Sequence, residues 1–171
     1  MLDYLVVYHS ETGNTKKLAT AIFSALPSMS KDLLPIEDCE ALPDAKTYFI
    51  GFCVHHGTCS LEVGNLLGSL SGKNVALFGT CGMGNCKDYF KKMEHSADIW
   101  LEDDNQYLGA FFCLGKMPLT IRKKFETMMN NCDPQQVTKL LSNFDEAMIH
   151  PTEEDITQSI GFVKQCIDKV K

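Results

Sequence analysis

Short runs of apolar residues alternate along this chain with stretches in which apolar side chains recur at every third or fourth position. That is how strands and helices follow one another in a parallel α/β domain. Tyr4 to Tyr8 (YLVVY) is apolar throughout, as a central strand covered on both faces should be. Leu18, Ala19, Ile22, Phe23 and Leu26 then keep helical spacing until Pro27 and Ser28 end the pattern. Asp32 to Ile36 (DLLPI) reads as a strand at a sheet edge, because Pro35 has no N–H to give to a second neighbour. Tyr48 to Phe52 (YFIGF) is the third run, followed by the helical stripe Val63, Leu66, Leu67 and Leu70. Val75 to Phe78 (VALF) is the fourth, leading through the glycine-rich Gly79 to Gly84 into a helix carrying Phe90, Met93 and Ala97. Leu108 to Leu114 (LGAFFCL) is the fifth.

Between Lys116 and His150 the pattern changes to two successive helical stripes. The first is Ile121, Phe125, Met128 and Met129; the second is Val137, Leu140, Leu141, Phe144 and Met148. Asn130, Asn131, Asp133 and Pro134 break them apart, so a helical hairpin is expected. A last helix opens at Thr152, with Asp155 placed to complete a capping box, and its stripe is Ile156, Ile160, Val163 and Ile167. No repeat, linker or change of composition divides the chain, so residues 1–171 are expected to form one domain.

With 44% hydrophobic and 22% charged residues among 171, the chain has the balance of an ordinary globular domain. No apolar run approaches the roughly 20 residues of a membrane span, and the N-terminus lacks the pattern of a secretory signal. A cytoplasmic location without membrane attachment is the expectation. The net charge of −6 repels nucleic-acid phosphate and favours basic partner surfaces. The eight cysteines are scattered without a Cys-x-x-Cys pair, which argues for reduced thiols and against a zinc ribbon or a dithiol redox centre.

Ligands of open parallel sheets bind beyond the carboxyl ends of the strands, where the strand order reverses. The loop after the first strand carries the strongest chemical signal there. Ser10, Glu11, Thr12, Gly13, Asn14 and Thr15 place hydroxyls, an amide and a permissive glycine where a helix begins, and its unpaired N–H groups favour an anion. Glu11 would repel a phosphate, so its side chain is expected to face solvent while its N–H helps. Competing phosphate motifs fit poorly. Gly82-Met83-Gly84-Asn85-Cys86-Lys87 ends in lysine where a dinucleotide fingerprint needs glycine, and no Gly-x4-Gly-Lys-Ser/Thr loop occurs.

Ser-x-Thr-Gly-Asn-Thr directly after the first strand resembles the FMN phosphate signature of the flavodoxin family, a family that itself exemplifies the switch-point rule. The likeness covers most of the chain, apart from the helical hairpin. It implies a flavodoxin-like three-layer sandwich, with a five-stranded parallel sheet in the order 2-1-3-4-5, helices on both faces, and the hairpin as an addition before the last helix. It implies FMN as cofactor, with its phosphate held by residues 10–15.

The resemblance further places the isoalloxazine ring between the loops after strands three and four. The first would offer Phe52, Val54, His55, His56, Gly57 and Thr58; the second, Thr80, Cys81, Gly82 and Met83. The only tryptophan, Trp100, lies elsewhere, and no aromatic precedes Tyr89 in the second loop, so imidazole or thioether contacts replace the usual aromatic stack. Phe52 serves equally well as a core residue at a strand end. With no lysine or arginine in these loops, a negative charge on the reduced ring is disfavoured, a penalty that protonated His55 or His56 softens.

The function so implied is electron transfer between a reductase and an acceptor enzyme, with redox proteins as partners and no nucleic acid or membrane. One relative within the family is the small flavodoxin-like accessory type of bacterial bilirubin reduction. The residues leave two alternatives open. One is an FMN-dependent reductase of a quinone, azo compound or tetrapyrrole. The other is a module that has lost its flavin, including a metal site built from His9, Cys53, His55, His56, Cys59, Cys81 and Cys86, although no pair of these has a familiar ligand spacing.

Overall fold

The apolar runs become five parallel strands: β1 (Leu2–Tyr8), β2 (Lys31–Pro35), β3 (Ala45–Cys53), β4 (Asn74–Cys81) and β5 (Gln106–Leu114). They pair in the order β2-β1-β3-β4-β5, with β2 at one edge and half-buried along its length. The computed structural model describes residues 1–38, 42–84 and 86–170; Cys39 and Asn85, which belong to the readings above, lie outside the described residues. The described residues also form six α-helices: α1 (Asn14–Ala25), α2 (Leu61–Ser69), α3 (Lys87–Asp98), α4 (Leu119–Met128), α5 (Pro134–Ala147) and α6 (Glu153–Lys169). Among the described residues, none is long and apolar enough to cross a membrane.

Alternation along each strand sends successive side chains into two cores. Leu5, Val7, Ile50 and Leu77 pack on one face beneath Val63 and Leu67 of α2 and Met93 and Ala97 of α3. Val6, Phe49, Ala76 and Phe78 pack on the other beneath Leu18 and Ile22 of α1 and Val163 and Cys166 of α6. The three-layer sandwich expected from the sequence is therefore the observed architecture.

The last helix opens as expected. Thr152 Oγ1 accepts from the Asp155 N–H at 3.2 Å, and Asp155 Oδ2 accepts from the Thr152 N–H at 2.6 Å. Its buried face, however, runs through Asp155, Ser159, Phe162, Val163 and Cys166, leaving Ile156, Ile160 and Ile167 on its flanks. The small Ser159 lies on the buried line because its hydroxyl donates back to the Ile156 carbonyl at 2.7 Å.

The hairpin forms, but its two helices differ. α5 buries Val137, Phe144 and Ala147, whereas α4 buries no residue fully and leaves Leu119, Met128 and Met129 exposed. Ala147 joins Cys81 and Leu114 in a third apolar cluster, with Val54, Tyr89, Phe90 and Met117 around it. The hairpin is thereby fastened over the carboxyl ends of β4 and β5.

Candidate functional site

The strand order reverses between β1 and β3, so the crevice for a ligand lies beyond their carboxyl ends. Pairing continues past the strands on this side of the sheet. The N–H of His9 donates to the Gly51 carbonyl at 2.8 Å, that of Val54 to Thr80 at 2.8 Å and that of Gly115 to Cys81 at 2.9 Å. The loops after β1, β3 and β5 therefore leave the sheet from fixed points.

The first loop turns into α1 at Gly13, which stands at the N-cap with φ +85° and offers no side-chain cap. The left-handed backbone there is open to glycine and strained for other residues. Ser10 Oγ takes the N–H of Lys16 at 3.2 Å. The N–H groups of Gly13, Asn14 and Thr15 have no acceptor among the described residues, and the first turn of α1 contains no acidic side chain. The positive end of the helix dipole and three donors thus converge.

The two side chains following Gly13 are engaged with the protein. Asn14, buried, donates from Nδ2 to Thr12 Oγ1 at 2.7 Å and to the Lys116 carbonyl at 2.9 Å. It lies so close over Gly115 that a Cβ there would sit 2.9 Å from Nδ2. Thr15, fully buried, shares a 2.9 Å hydrogen bond with the Thr80 hydroxyl at the end of β4. Two hydroxyls carry two protons and the bond between them uses one, so the pair retains a donor. Thr80 borders the cleft and can aim it there.

The loop after β3 closes on itself in a two-residue turn. His55 and Thr58 exchange backbone bonds of 2.9 and 3.1 Å, while His56 and Gly57 take φ values of 49° and 83°. His55 Nε2 lies 3.3 Å from Glu11 Oε1, linking the first loop to the third strand's loop when the imidazole is protonated. Both side chains are about half exposed, so the attraction is screened. Glu11 accordingly turns outward, toward His55.

These loops enclose a cleft of about 190 Å³. Of the residues singled out in the sequence, Glu11, Thr12 and Asn14 border it from the first loop, Val54 and His55 from the second, and Thr80, Cys81 and Gly82 from β4 and its loop. Ser10, Gly13 and Thr15 do not line this cleft; they belong to the same turn, at the start of α1. His56, Gly57 and Thr58 form the turn, with His56 exposed and the other two half-buried, and Met83 faces α5, where its sulfur lies 3.5 Å from Asn143 Nδ2. Phe52 is fully buried in the core, edge-on to Phe112 at 5.6 Å between centroids; the packing side of its two sequence readings is the one realised.

A fourth wall was missed from the sequence. Gly115, Lys116, Met117, Pro118 and Ile121, from the end of β5 and the start of the hairpin, border the cleft, and so does Cys53. Met117 packs so tightly on Gly82 that a Cβ there would meet its Cγ at 2.2 Å. Lys116 supplies a cation that the flanking loops lack. The only local signal was that the hairpin starts immediately after β5.

Burial governs the thiols near the cleft. It pushes Cys81 up to about 12 and raises Cys53, where the Glu11 N–H pulls the other way. Protonated thiols are poor metal ligands, and among the described residues no group of three or more His, Cys, Asp or Glu side chains is placed to hold a metal.

The fit to FMN can be judged from the donor set. Three free N–H groups at a helix start and an available hydroxyl suit a phosphate; the slot between Val54–His55 and Gly82 suits a flat ring held at its edges by backbone groups. The cleft volume of about 190 Å³ is below the roughly 300–1,000 Å³ of most small-molecule pockets, so it does not enclose a whole flavin nucleotide.

Known proteins of similar sequence and shape agree with this architecture. A family model described as "Flavodoxin domain" matches residues 5–164. The chain is 30% identical over 170 residues to a flavodoxin-like domain-containing protein BilS of Clostridioides difficile (strain CD3), covering 96% of each chain. It is 25% identical to a protein of the same name from Clostridium symbiosum (strain WAL-14163), covering 91% of this chain and 90% of that one. The solved structure of a Streptococcus pneumonia TIGR4 flavodoxin superposes with a TM-score of 0.60 at 14% identity, covering 97% and 98% of the two chains. Shared fold, strand order and a family match spanning nearly the whole length lead to one conclusion: the chain belongs to the flavodoxin family.

Proposed function

We infer that this protein binds FMN in the cleft and carries electrons between a reductase and an acceptor enzyme. The observation that carries the reading is the start of α1, where the N–H groups of Gly13, Asn14 and Thr15 are free at the positive end of the helix, beside the Thr15–Thr80 hydroxyl pair. When bound, FMN supplies the redox chemistry, and the protein contributes position and electrostatics.

In this reading the three N–H groups and the Thr80 hydroxyl hold the phosphate. Val54 and His55 cover one side of the ring, and Gly82 and Met117 flank the other. The space that a side chain at Gly82 would take is filled by Met117, so on that side the ring meets the Met117 side chain. Lys116 and His55, at the rim, offset negative charge that builds up in the cleft, while Glu11 opposes them. The overall charge of −6 favours docking on basic surfaces of redox partners.

The test begins with purified protein and added FMN. A stoichiometric complex at micromolar concentration, with shifted visible bands that bleach on reduction, is expected. NAD(P)H alone should reduce it slowly, and a separate flavodoxin reductase should accelerate the reaction greatly. Failure to take up FMN overturns the cofactor assignment; rapid turnover with NAD(P)H and a small acceptor, without any reductase, replaces the carrier with a free-standing reductase.

A further inference from the structure

One side chain of the hairpin grips the backbone of the loop after β4 at two points, besides its contact with the Met83 sulfur. Asn143, on α5, donates from Nδ2 to the Gly82 carbonyl at 2.7 Å and accepts at Oδ1 the N–H of Gly84 at 3.2 Å. The loop it holds contains glycines at 82 and 84, the latter at φ +78°, and has little rigidity of its own. α5, by contrast, is anchored by the burial of Val137, Phe144 and Ala147. A rigid helix therefore dictates the orientation of a soft loop.

The peptide geometry gives this grip a directional consequence. Both peptide units between Gly82 and Gly84 are trans, so within each the C=O and N–H point in opposite directions. Holding the Gly82 carbonyl and the Gly84 N–H toward α5 turns the Met83 N–H and the Met83 carbonyl away from it. Neither of these two groups is bonded among the described residues. They form a donor and an acceptor side by side, one residue beyond Gly82, the last residue of this loop to line the cleft.

We propose that Asn143 is a positioning residue for flavin recognition: it orients Met83 so that its N–H and C=O bind a carbonyl and the adjacent imide N–H on the pyrimidine edge of the ring. This rests on the FMN reading above and adds to it a part for the hairpin. Asn143 itself does not border the cleft and acts only through the loop.

The experiment compares FMN with N3-methyl-FMN, which lacks the imide N–H, on wild-type protein, Asn143→Leu and Asn143→Asp. Wild type is expected to bind FMN about ten-fold more tightly than the methylated analogue, the effect of one well-placed hydrogen bond. Asn143→Leu removes both contacts and should bind FMN several-fold more weakly, with discrimination reduced to less than about two-fold. Asn143→Asp keeps the acceptor for Gly84 and loses the donor to Gly82, so its discrimination should fall between the two; it also serves if the leucine variant does not fold. Urea midpoints establish that the variants are folded.

Full discrimination in both variants overturns the proposal, as does a wild type that binds both flavins equally. A wild type that binds neither flavin overturns instead the FMN reading on which the proposal stands.

Discussion

The hydroxyl pair Thr15–Thr80 permits a quantitative test of how the phosphate loop is tied to the sheet. Both residues are buried, at 0% and 3% exposure, and their oxygens are 2.9 Å apart. Thr15→Val removes one hydroxyl with little change of shape and strands the other; an unsatisfied buried polar group costs about 1–3 kcal/mol. Thr80→Val does the same from the opposite side. The double variant leaves no stranded hydroxyl at this contact, so its cost falls below the sum of the two by at least about 1 kcal/mol, a coupling expected only of residues in direct contact. For a domain of this size each kcal/mol moves Tm by about 2–4 °C, which thermal melts of the apoprotein resolve. FMN affinity should behave differently. The donor that the pair keeps free is lost in the double variant, so affinity falls about ten-fold or more even where stability recovers, the loss expected for a hydrogen bond to a charged group. Additive stabilities, within about 0.5 kcal/mol, refute the contact; a double variant with undiminished FMN affinity refutes the role assigned to the remaining proton.

Three further outcomes are expected. Gly13→Ala should destabilise the apoprotein by about 1 kcal/mol through backbone strain alone, since φ is +85° and an added Cβ meets nothing within 4 Å; chemical denaturation reads it. Asp155→Ala should cost about 1–2 kcal/mol by opening the cap of α6, lowering the urea midpoint while leaving FMN affinity unchanged. Brief alkylation followed by peptide mass mapping should modify the exposed Cys86 and Cys132 before Cys81, Cys113 and Cys166, which are buried; burial pushes Cys81 and Cys166 up to about 12 and raises Cys113 as well.

The features legible in the sequence are those set by neighbours along the chain. Runs apolar on both faces identified the strands, because a strand between two helical layers has no solvent side to mark with polar residues. The first loop was legible as a glycine-bearing polar turn into a helix, although α1 has no side-chain cap, and the Thr152–Asp155 box was legible because cap chemistry is local. Partners distant in sequence were not legible. Thr15 and Thr80 are 65 residues apart, Asn14 and Lys116 102, and Asn143 and Gly82 61, and a hydroxyl or amide looks the same in sequence whether it meets an anion or another side chain. The buried line of α6 was displaced for a related reason: hydropathy counts Asp155 and Ser159 as surface, although Thr152 and His150 just before the helix satisfy the carboxylate and a back-bond satisfies the hydroxyl. Periodicity located the hairpin through its apolar stripe, and Asn143 lies off that stripe. If the hairpin served only to cover the core, Ala147 and Phe144 would suffice and an apolar residue at 143 would serve as well; the paired bonds to Gly82 and Gly84 give this helix a polar contact with the cleft-forming loop that core covering does not require.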